Sequence, residues 1–317
     1  MTRVGVIGVG AMGRHHARVY SEMEGVELVG VADVDGKKAK EIAEMYGTNA
    51  YTNHKELLKR DLDAVSVAVP TTLHKDVALD VIDAGVHLLV EKPIADSLEN
   101  ACTIINAAED AGLKLMVGHI ERFNPAVMAL NDLMRRNMLG DVVSISGRRV
   151  GPYPPRIKDV GVIIDIAIHD IDVISFLYGE PAVEVYAIAG NGSRHFAHED
   201  YASILLRYGD NKSGVVEANW LTPRKIRRLS VIGVERVAYL DYINQRLILD
   251  ENGEIRDVEV KRAEPLKNEL THFIDAVERN SKIMSSGEEG LKALKIAIAA
   301  VMSYKRRSVI RIDNLQI

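Results

Sequence analysis

The sequence predicts an α/β protein in two parts: a doubly wound, parallel domain over residues 1–120, and a second α/β domain over residues 121–317 built on a large, mainly antiparallel open sheet. Three observations carry this expectation. Up to residue 120 the apolar runs VGVIGVG, VELVGVAD, DAVSVAVP, VHLLVEKP and LKLMVGH alternate with helical stretches such as KAKEIAEMYG, HKDVALDVIDAG and SLENACTIINAAEDAG. After Gly118 the character changes to short strand-like runs separated by turns. A chain of 317 residues with 47% hydrophobic content is long enough for two separate cores.

The first element, TRVGVIGVG, is a strand that runs into a glycine turn and then a helix. Gly8, Gly10 and Gly13 stand in the dinucleotide fingerprint spacing. Gly8 allows the tight turn, Gly10 lets the backbone approach a pyrophosphate, and Gly13 lets the helix sit close to the strand. The N–H groups of Ala11, Met12 and Gly13 at the helix start then meet the phosphate charge. Asp33 closes the unit twenty residues beyond Gly13, where a carboxylate accepts from ribose hydroxyls and repels a 2′-phosphate, so NAD is expected rather than NADP. In a parallel sheet, ligands sit beyond the carboxyl ends of the strands. This directs Pro70, Thr71, His74, Glu91 and Lys92 to the same edge as the glycine turn and makes them cofactor-binding candidates of this Rossmann unit.

In the second half a helix is expected over Pro125 to Asn137. The strands VVSISGRRV, AVEVYAIAG, YASILLRYG, KSGVVEANW, KIRRLSVIG, RVAYLD and RLILD follow, then helices over Leu266 to Arg279 and Glu288 to Arg307, and a last short strand SVIRID. A large sheet with helices on one face leaves the other for a partner subunit, so a homodimer or homotetramer through this sheet is expected.

The formal charge of −5 and a pI near 6.1 supply no long-range attraction for nucleic acid or an anionic membrane. The single cysteine, Cys102, excludes an intrachain disulfide and falls on an apolar helix face, which fits a reducing, cytoplasmic setting. Met1-Thr2-Arg3 runs straight into the first strand without a signal-peptide core. The most apolar later stretch, VIIDIAIHDIDVISFL, is interrupted by acids and a histidine, so no export or membrane segment is expected.

Two groups carry potential chemistry. Glu91-Lys92-Pro93 follows a strand, and the proline restricts Lys92 so that its ammonium leaves the sheet edge; a plain surface lysine is the alternative. In GVIIDIAIHDIDVISFLYG, Asp165, His169 and Asp172 recur at spacings of four and three, forming one polar stripe on an otherwise apolar, largely buried helix. A carboxylate four residues before a histidine can orient its imidazole and set its tautomer, a general-base arrangement; a satisfied core histidine is the alternative. No metal is expected: His15 and His16 are adjacent and point to different faces, and His195 and His198 sit in a polar loop.

VGVIGVGAMG, VAVPTTLH, VEKPIA, GHIERFNP and GVIIDIAIHDID together resemble the Gfo/Idh/MocA family of NAD(P)-dependent sugar and polyol oxidoreductases, and GEEGLKALKIAIAAVMSYKRR resembles its C-terminal helix. The resemblance implies a site at the junction of the two domains. It also implies that Lys92 and the Asp165–His169 pair contact or activate sugar hydroxyls. Within the family, GHIERFNPAV and RRVGPYPPRIKDVGVIIDIAIHDID are most similar to the subgroup that oxidises UDP-N-acetylglucosamine to its 3-keto form. An inositol or simple hexose dehydrogenase and a non-catalytic NAD-binding sensor stay open as alternatives.

A diphosphate substrate needs cations, and Arg148, Arg149, Arg156 and Lys158 are candidates, with Arg224 to Arg228 a similar case; solvated surface charges are the plain alternative. Tyr153, in a loop stiffened by Pro152, Pro154 and Pro155, is placed to cover a sugar or uracil ring. Arg122, Phe123 and Asn124 are expected to line the cleft, with hinge packing the alternative for Phe123. In the expected reaction a secondary ring alcohol is oxidised, with His169 as base and Lys92 as hydrogen-bond donor to the oxygen or as the base itself.

Overall fold

A computed structural model of the chain describes residues 1–153, 160–192 and 198–315. It divides into two compact units, one made of Met1–Ile120 with Glu264–Leu291, the other of Glu121–Ala263 with Lys292–Gln316.

In the first unit the strands are β1 (Thr2–Ile7), β2 (Val26–Ala32), β3 (Asn49–Tyr51), β4 (Ala64–Val67), β5 (His87–Glu91) and β6 (Leu115–Gly118). They pair in parallel in the order β3-β2-β1-β4-β5-β6. The order reverses direction between β1 and β4, and the crevice beyond the carboxyl ends of those two strands is where such sheets take ligands. The intervening helices are α1 (Gly13–Glu22), α2 (Gly36–Tyr46), α3 (His54–Leu58), α4 (His74–Asp83) and α5 (Leu98–Asp110). Their limits follow local chemistry. Asp35 caps α2 by accepting from the Lys37 and Lys38 N–H groups, Gly47 ends it at φ 65°, and Ser97 caps α5 through the Asn100 N–H. The central strands are buried on both faces, which is why they read as continuous Val/Ile/Leu runs.

The second unit holds α6 (Pro125–Arg135), β7 (Val142–Pro152), α7 (Ile168–Tyr178), β8 (Glu184–Gly190), β9 (Tyr201–Tyr208), β10 (Lys212–Asn219), β11 (Leu221–Gly233), β12 (Val237–Asp241), β13 (Arg246–Glu251) and β14 (Glu254–Val258). After α8 (Pro265–Glu278) and α9 (Gly287–Arg306), the chain adds β15 (Ile310–Arg311). The nine strands run β14-β13-β12-β11-β7-β10-β9-β8-β15, antiparallel throughout except for the parallel pair β10–β7. One face carries the core, in which Ile145, Ile204, Val216, Leu229 and Val231 meet Ile168, Ile171 and Ile174 of α7. Alternate residues, among them Leu205 and Tyr239, point to the other face and are exposed.

The division of the chain differs from the sequence expectation in one place. The helix over 266–279 was expected in the second domain, whereas Glu264–Leu291 belongs with the first unit. There, Leu270, Phe273 and Ala276 are buried, and an isolated bridge joins Ser286 to Met116 of β6. Helical periodicity shows which face is apolar but not which sheet receives it.

Candidate active site

In the first unit the glycine turn is built as the fingerprint requires. Gly8 has φ +86°, and a Cβ there would lie 2.6 Å from the Ala68 carbonyl oxygen; a Cβ on Gly13 would lie 1.7 Å from the Gly8 oxygen. Gly10 is exposed and has open space where its Cβ would stand, leaving the backbone approachable. No acidic residue occupies the first turn of α1 and no side chain caps it, which leaves its start open to an anion beside exposed Ala11 and half-buried Met12. Asp33 stands directly across: its Oδ2 accepts from the Val9 N–H at 2.9 Å and its Oδ1 from the Asp35 N–H at 2.9 Å. This donor set and open cradle fit a dinucleotide with free ribose hydroxyls. Gly13→Ala is expected to lower NAD affinity and fold stability together, by about 1–3 kcal/mol for the overpacking alone; NADH fluorescence titration beside a thermal melt checks this, and unchanged values in both would refute it.

The other cofactor candidates on this edge divide into two sets. Pro70 is exposed, and Thr71 and Lys92 are half-buried, at the ends of β4 and β5. His74 is 1% exposed, its ring set between the carbonyl oxygens of Pro93 (Nδ1, 2.9 Å) and Val69 (Nε2, 3.0 Å), and burial keeps it below the usual histidine pKa. Its ring therefore braces two loops instead of reaching outward. Glu91 is likewise turned inward, with Oε1 3.0 Å from His16 Nε2 and Oε2 accepting from the Lys92 N–H at 3.1 Å. Both are among the cofactor-contact candidates of this sheet edge.

In the second unit Asp165 and His169 stand where the chain enters α7. Here the structure departs from the expected single helical stripe: Ile163–Ala167 winds as a π-helix, so Asp165 lies on the wider turn and His169 on the first turn of α7 proper. Such turns recur at functional sites because the extra residue re-aims side chains. Asp165 is buried and His169 half-buried. Asp172 leaves the stripe altogether, its oxygens accepting from Arg122 Nε (2.9 Å) and Nη2 (2.6 Å). Asp170, which the sequence reading passed over, does the same for Arg149 (Nε, 2.7 Å; Nη2, 3.2 Å), while Arg149 Nη1 donates to Glu121 at 2.7 Å. The charges of Asp170 and Glu121 hold the Arg149 pKa above its ordinary value despite full burial. Gly147 on β7 permits this close approach, since a Cβ there would be 3.0 Å from the Asp170 Cβ.

These pairings set several of the substrate-contact candidates inside the second unit. Arg122, Phe123 and Asn124 are all buried; the Arg122 guanidinium is held by Asp172, and Asn124 caps α6 and donates to the Tyr242 carbonyl at 3.1 Å. Their polar atoms work inside the fold. Arg149 is neutralised internally, and Arg148 pairs with Glu217 at 2.7 Å on an exposed part of the sheet. Arg156, Lys158, Pro154, Pro155 and His195 lie outside the described residues. Tyr153 is half-buried and meets the Trp220 ring edge-on at 5.6 Å.

Arg227 is the cation that sequence reasoning did not single out. It sits opposite Arg149 in the β11–β7 ladder, with its side chain 38% exposed, 3.7 Å from a Glu121 oxygen already engaged by Arg149. Burial and the Arg149 charge push its pKa down, and Glu121, Asp170 and, least of the three, Asp165 act the other way. Alternation along KIRRLSVIG, inward at Arg227 and Leu229, was the signal that separated it from Arg228. Among the described residues, no group of three or more His, Cys, Asp or Glu side chains is arranged to hold a metal ion. No helix among them is long and apolar enough to cross a membrane.

Comparison with known proteins decides the lineage. Residues 2–119 match the family model for the oxidoreductase family with an NAD-binding Rossmann fold, and residues 127–238 match the GFO/IDH/MocA C-terminal domain. A UDP-N-acetylglucosamine 3-dehydrogenase from Acidithiobacillus ferrooxidans is 31% identical over 96% of this chain and 99% of its own length. The chain belongs to the Gfo/Idh/MocA family. An inositol 2-dehydrogenase from Rhizobium meliloti is similarly related, 30% identical over 98% of this chain and 99% of that relative. A solved structure of the Acidithiobacillus enzyme superposes with a TM-score of 0.89 at 29% identity, covering 96% of this chain and 98% of the other. The protein is thus an NAD-binding oxidoreductase of the Gfo/Idh/MocA family, whose relatives include dehydrogenases of sugars and polyols.

Proposed function

We propose that the protein oxidises a secondary ring hydroxyl of a nucleotide sugar, UDP-N-acetylglucosamine to its 3-keto form, with NAD as the acceptor. The observation that carries this reading is the end-to-end similarity to the Acidithiobacillus enzyme, 31% over 96% of the chain, beside a carboxylate and an imidazole held on a buried helix. Bound NAD supplies a hydride acceptor. The chain's own groups handle the proton. His169 takes it from the hydroxyl, because imidazole titrates near neutrality, and Asp165 orients the ring and stabilises its charged form. Lys92 donates a hydrogen bond to the oxygen becoming a carbonyl, stabilising charge that develops there. Gly8, Gly10, Ala11, Met12, Gly13, Asp33, Pro70 and Thr71 bind the cofactor, and Arg227 and Tyr153 contact the substrate.

A second reading, an inositol or simple hexose dehydrogenase, is supported by the inositol 2-dehydrogenase similarity at 30% over 98% of the chain. The two differ in phosphate cations. Arg148 and Arg149 are committed to acidic partners, and Arg227, half-exposed and 3.7 Å from Glu121, is assigned the diphosphate contact in this reading. The test is nicotinamide absorbance across UDP-sugars, inositols and hexoses, with NAD and NADP in parallel. UDP-N-acetylglucosamine with NAD is expected to be turned over fastest; faster turnover of free inositol would transfer the assignment to the second reading, and faster turnover with NADP would overturn the role given to Asp33. No turnover of any panel member would favour the NAD-binding sensor.

The same proposal includes a homodimer or homotetramer formed through the exposed face of the large sheet. Register aligns Tyr186, Leu205, Val215, Ser146, Ser230 and Tyr239 across six strands on that face, with Leu205 54% and Tyr239 47% exposed. Light scattering should return a multiple of the 35.0 kDa chain mass.

A further inference from the structure

A buried polar chain crosses the first unit. His16, on the first turn of α1, is fully buried; its Nδ1 lies 3.0 Å from Ser66 Oγ on β4 and its Nε2 3.0 Å from Glu91 Oε1 on β5. The Tyr20 hydroxyl, one turn further along α1, lies 2.9 Å from the same Ser66 oxygen. Glu91 Oε2 accepts from the Lys92 N–H. On the far side of the carboxylate, β6 leaves room only because residue 118 is glycine: a Cβ there would be 3.1 Å from all three atoms of the Glu91 carboxyl group. A charged group so enclosed is costly unless it is paired, and an apolar contact between α1 and the sheet would have been cheaper.

We propose that His16 and Glu91 are positioning residues for Lys92: the pair ties helix α1, whose N-terminus carries the cofactor turn, to the backbone N–H of the lysine and sets the lysine's position. This rests on the reading that Lys92 acts on substrate. The polar chain runs from α1 through β4 to the residue next to Lys92, so a shift of α1 is transmitted to the lysine by hydrogen bonds of fixed length. Burial opposes ionisation of Glu91, but the His16 hydrogen bond and the charges of His16 and Lys92 outweigh it and hold its pKa below the usual range. The titratable groups facing Glu91 are His16 from α1, Lys92 beside it and His74 from α4, whose own pKa burial lowers; Ser66 of β4 and Gly118 of β6 bring no charge.

The test uses Glu91→Gln, which keeps the shape, and Ser66→Ala, a milder variant that removes only the hydroxyl beside His16. Three quantities are read on the full-length protein: the rate of acetic anhydride labelling of Lys92 at fixed pH, followed by peptide mass spectrometry; the NADH dissociation constant by fluorescence; and kcat on UDP-N-acetylglucosamine or, if that is inert, myo-inositol. In Glu91→Gln the labelling rate is expected to change by at least about twofold and kcat to fall about 10- to 100-fold, with NADH affinity changed less than about threefold, as for a displaced catalytic group. Ser66→Ala should move kcat in the same direction by less. An unchanged labelling rate with unchanged kcat overturns the proposal, as does a loss of kcat that merely follows loss of NADH binding. If Lys92→Ala retains turnover while the labelling rate in Glu91→Gln still differs, the assigned role of Lys92 fails and the positional link survives, so the two failures are distinguishable.

Discussion

His169→Ala and Lys92→Ala are each expected to lower turnover about 10²- to 10⁴-fold, the usual contribution of a positioned acid or base, while NAD binding is retained. The reason lies in placement. His169 stands half-buried on the first turn of a helix that is otherwise largely buried, so no other titratable side chain of that turn replaces it on the same face. Lys92 follows β5, with its N–H fixed by Glu91. Alanine at either position removes the group without disturbing the glycine turn, which is why NADH fluorescence should be near wild type. Single-turnover absorbance separates chemistry from product release. Retained turnover in both variants would remove the chemical assignment altogether.

The second large effect is structural. Asp170→Ala is expected to destabilise the protein by about 3–5 kcal/mol, because it leaves the buried Arg149 guanidinium with one carboxylate in place of two. The Arg149 side chain is 3% exposed and that of Asp170 is fully buried, so water cannot take over the lost hydrogen bonds. The ion pair also pins α7 to β7, and that helix carries His169 on its first turn, with Asp165 on the π-turn leading into it. Urea unfolding gives the measurement, and a loss below about 1 kcal/mol, the scale of an exposed pair, would contradict the account. Asp170→Asn, which keeps one acceptor, should fall between.

The parts of the fold that were legible in the sequence are those set by local rules. The five long parallel strands, the glycine turn and helices α6, α8 and α9 follow from hydrophobic period and turn residues, and each starts and stops within a few residues of expectation. Two strands were not readable. Asn49–Tyr51 is too short to show alternation, and Glu254–Val258 is an exposed edge strand whose residues are mostly charged. The π-turn at Ile163–Ala167 was hidden for a different reason: its sequence satisfies an α-helical pattern equally well, and only packing selects the wider turn.

The sequence by itself determined the two-part α/β architecture, the dinucleotide turn with Asp33 across from it, and the family, because glycine spacing and period are read one neighbourhood at a time. The tertiary structure alone decided which acids and bases meet. Arg122 with Asp172, Arg149 with Asp170 and Glu121, and His16 with Glu91 are separated by between 21 and 75 residues. Nothing in local spacing distinguishes a carboxylate that faces substrate from one that neutralises a buried cation. That distinction arises from desolvation, which acts only once helices and sheets have closed around the charge and each buried ion must find its partner.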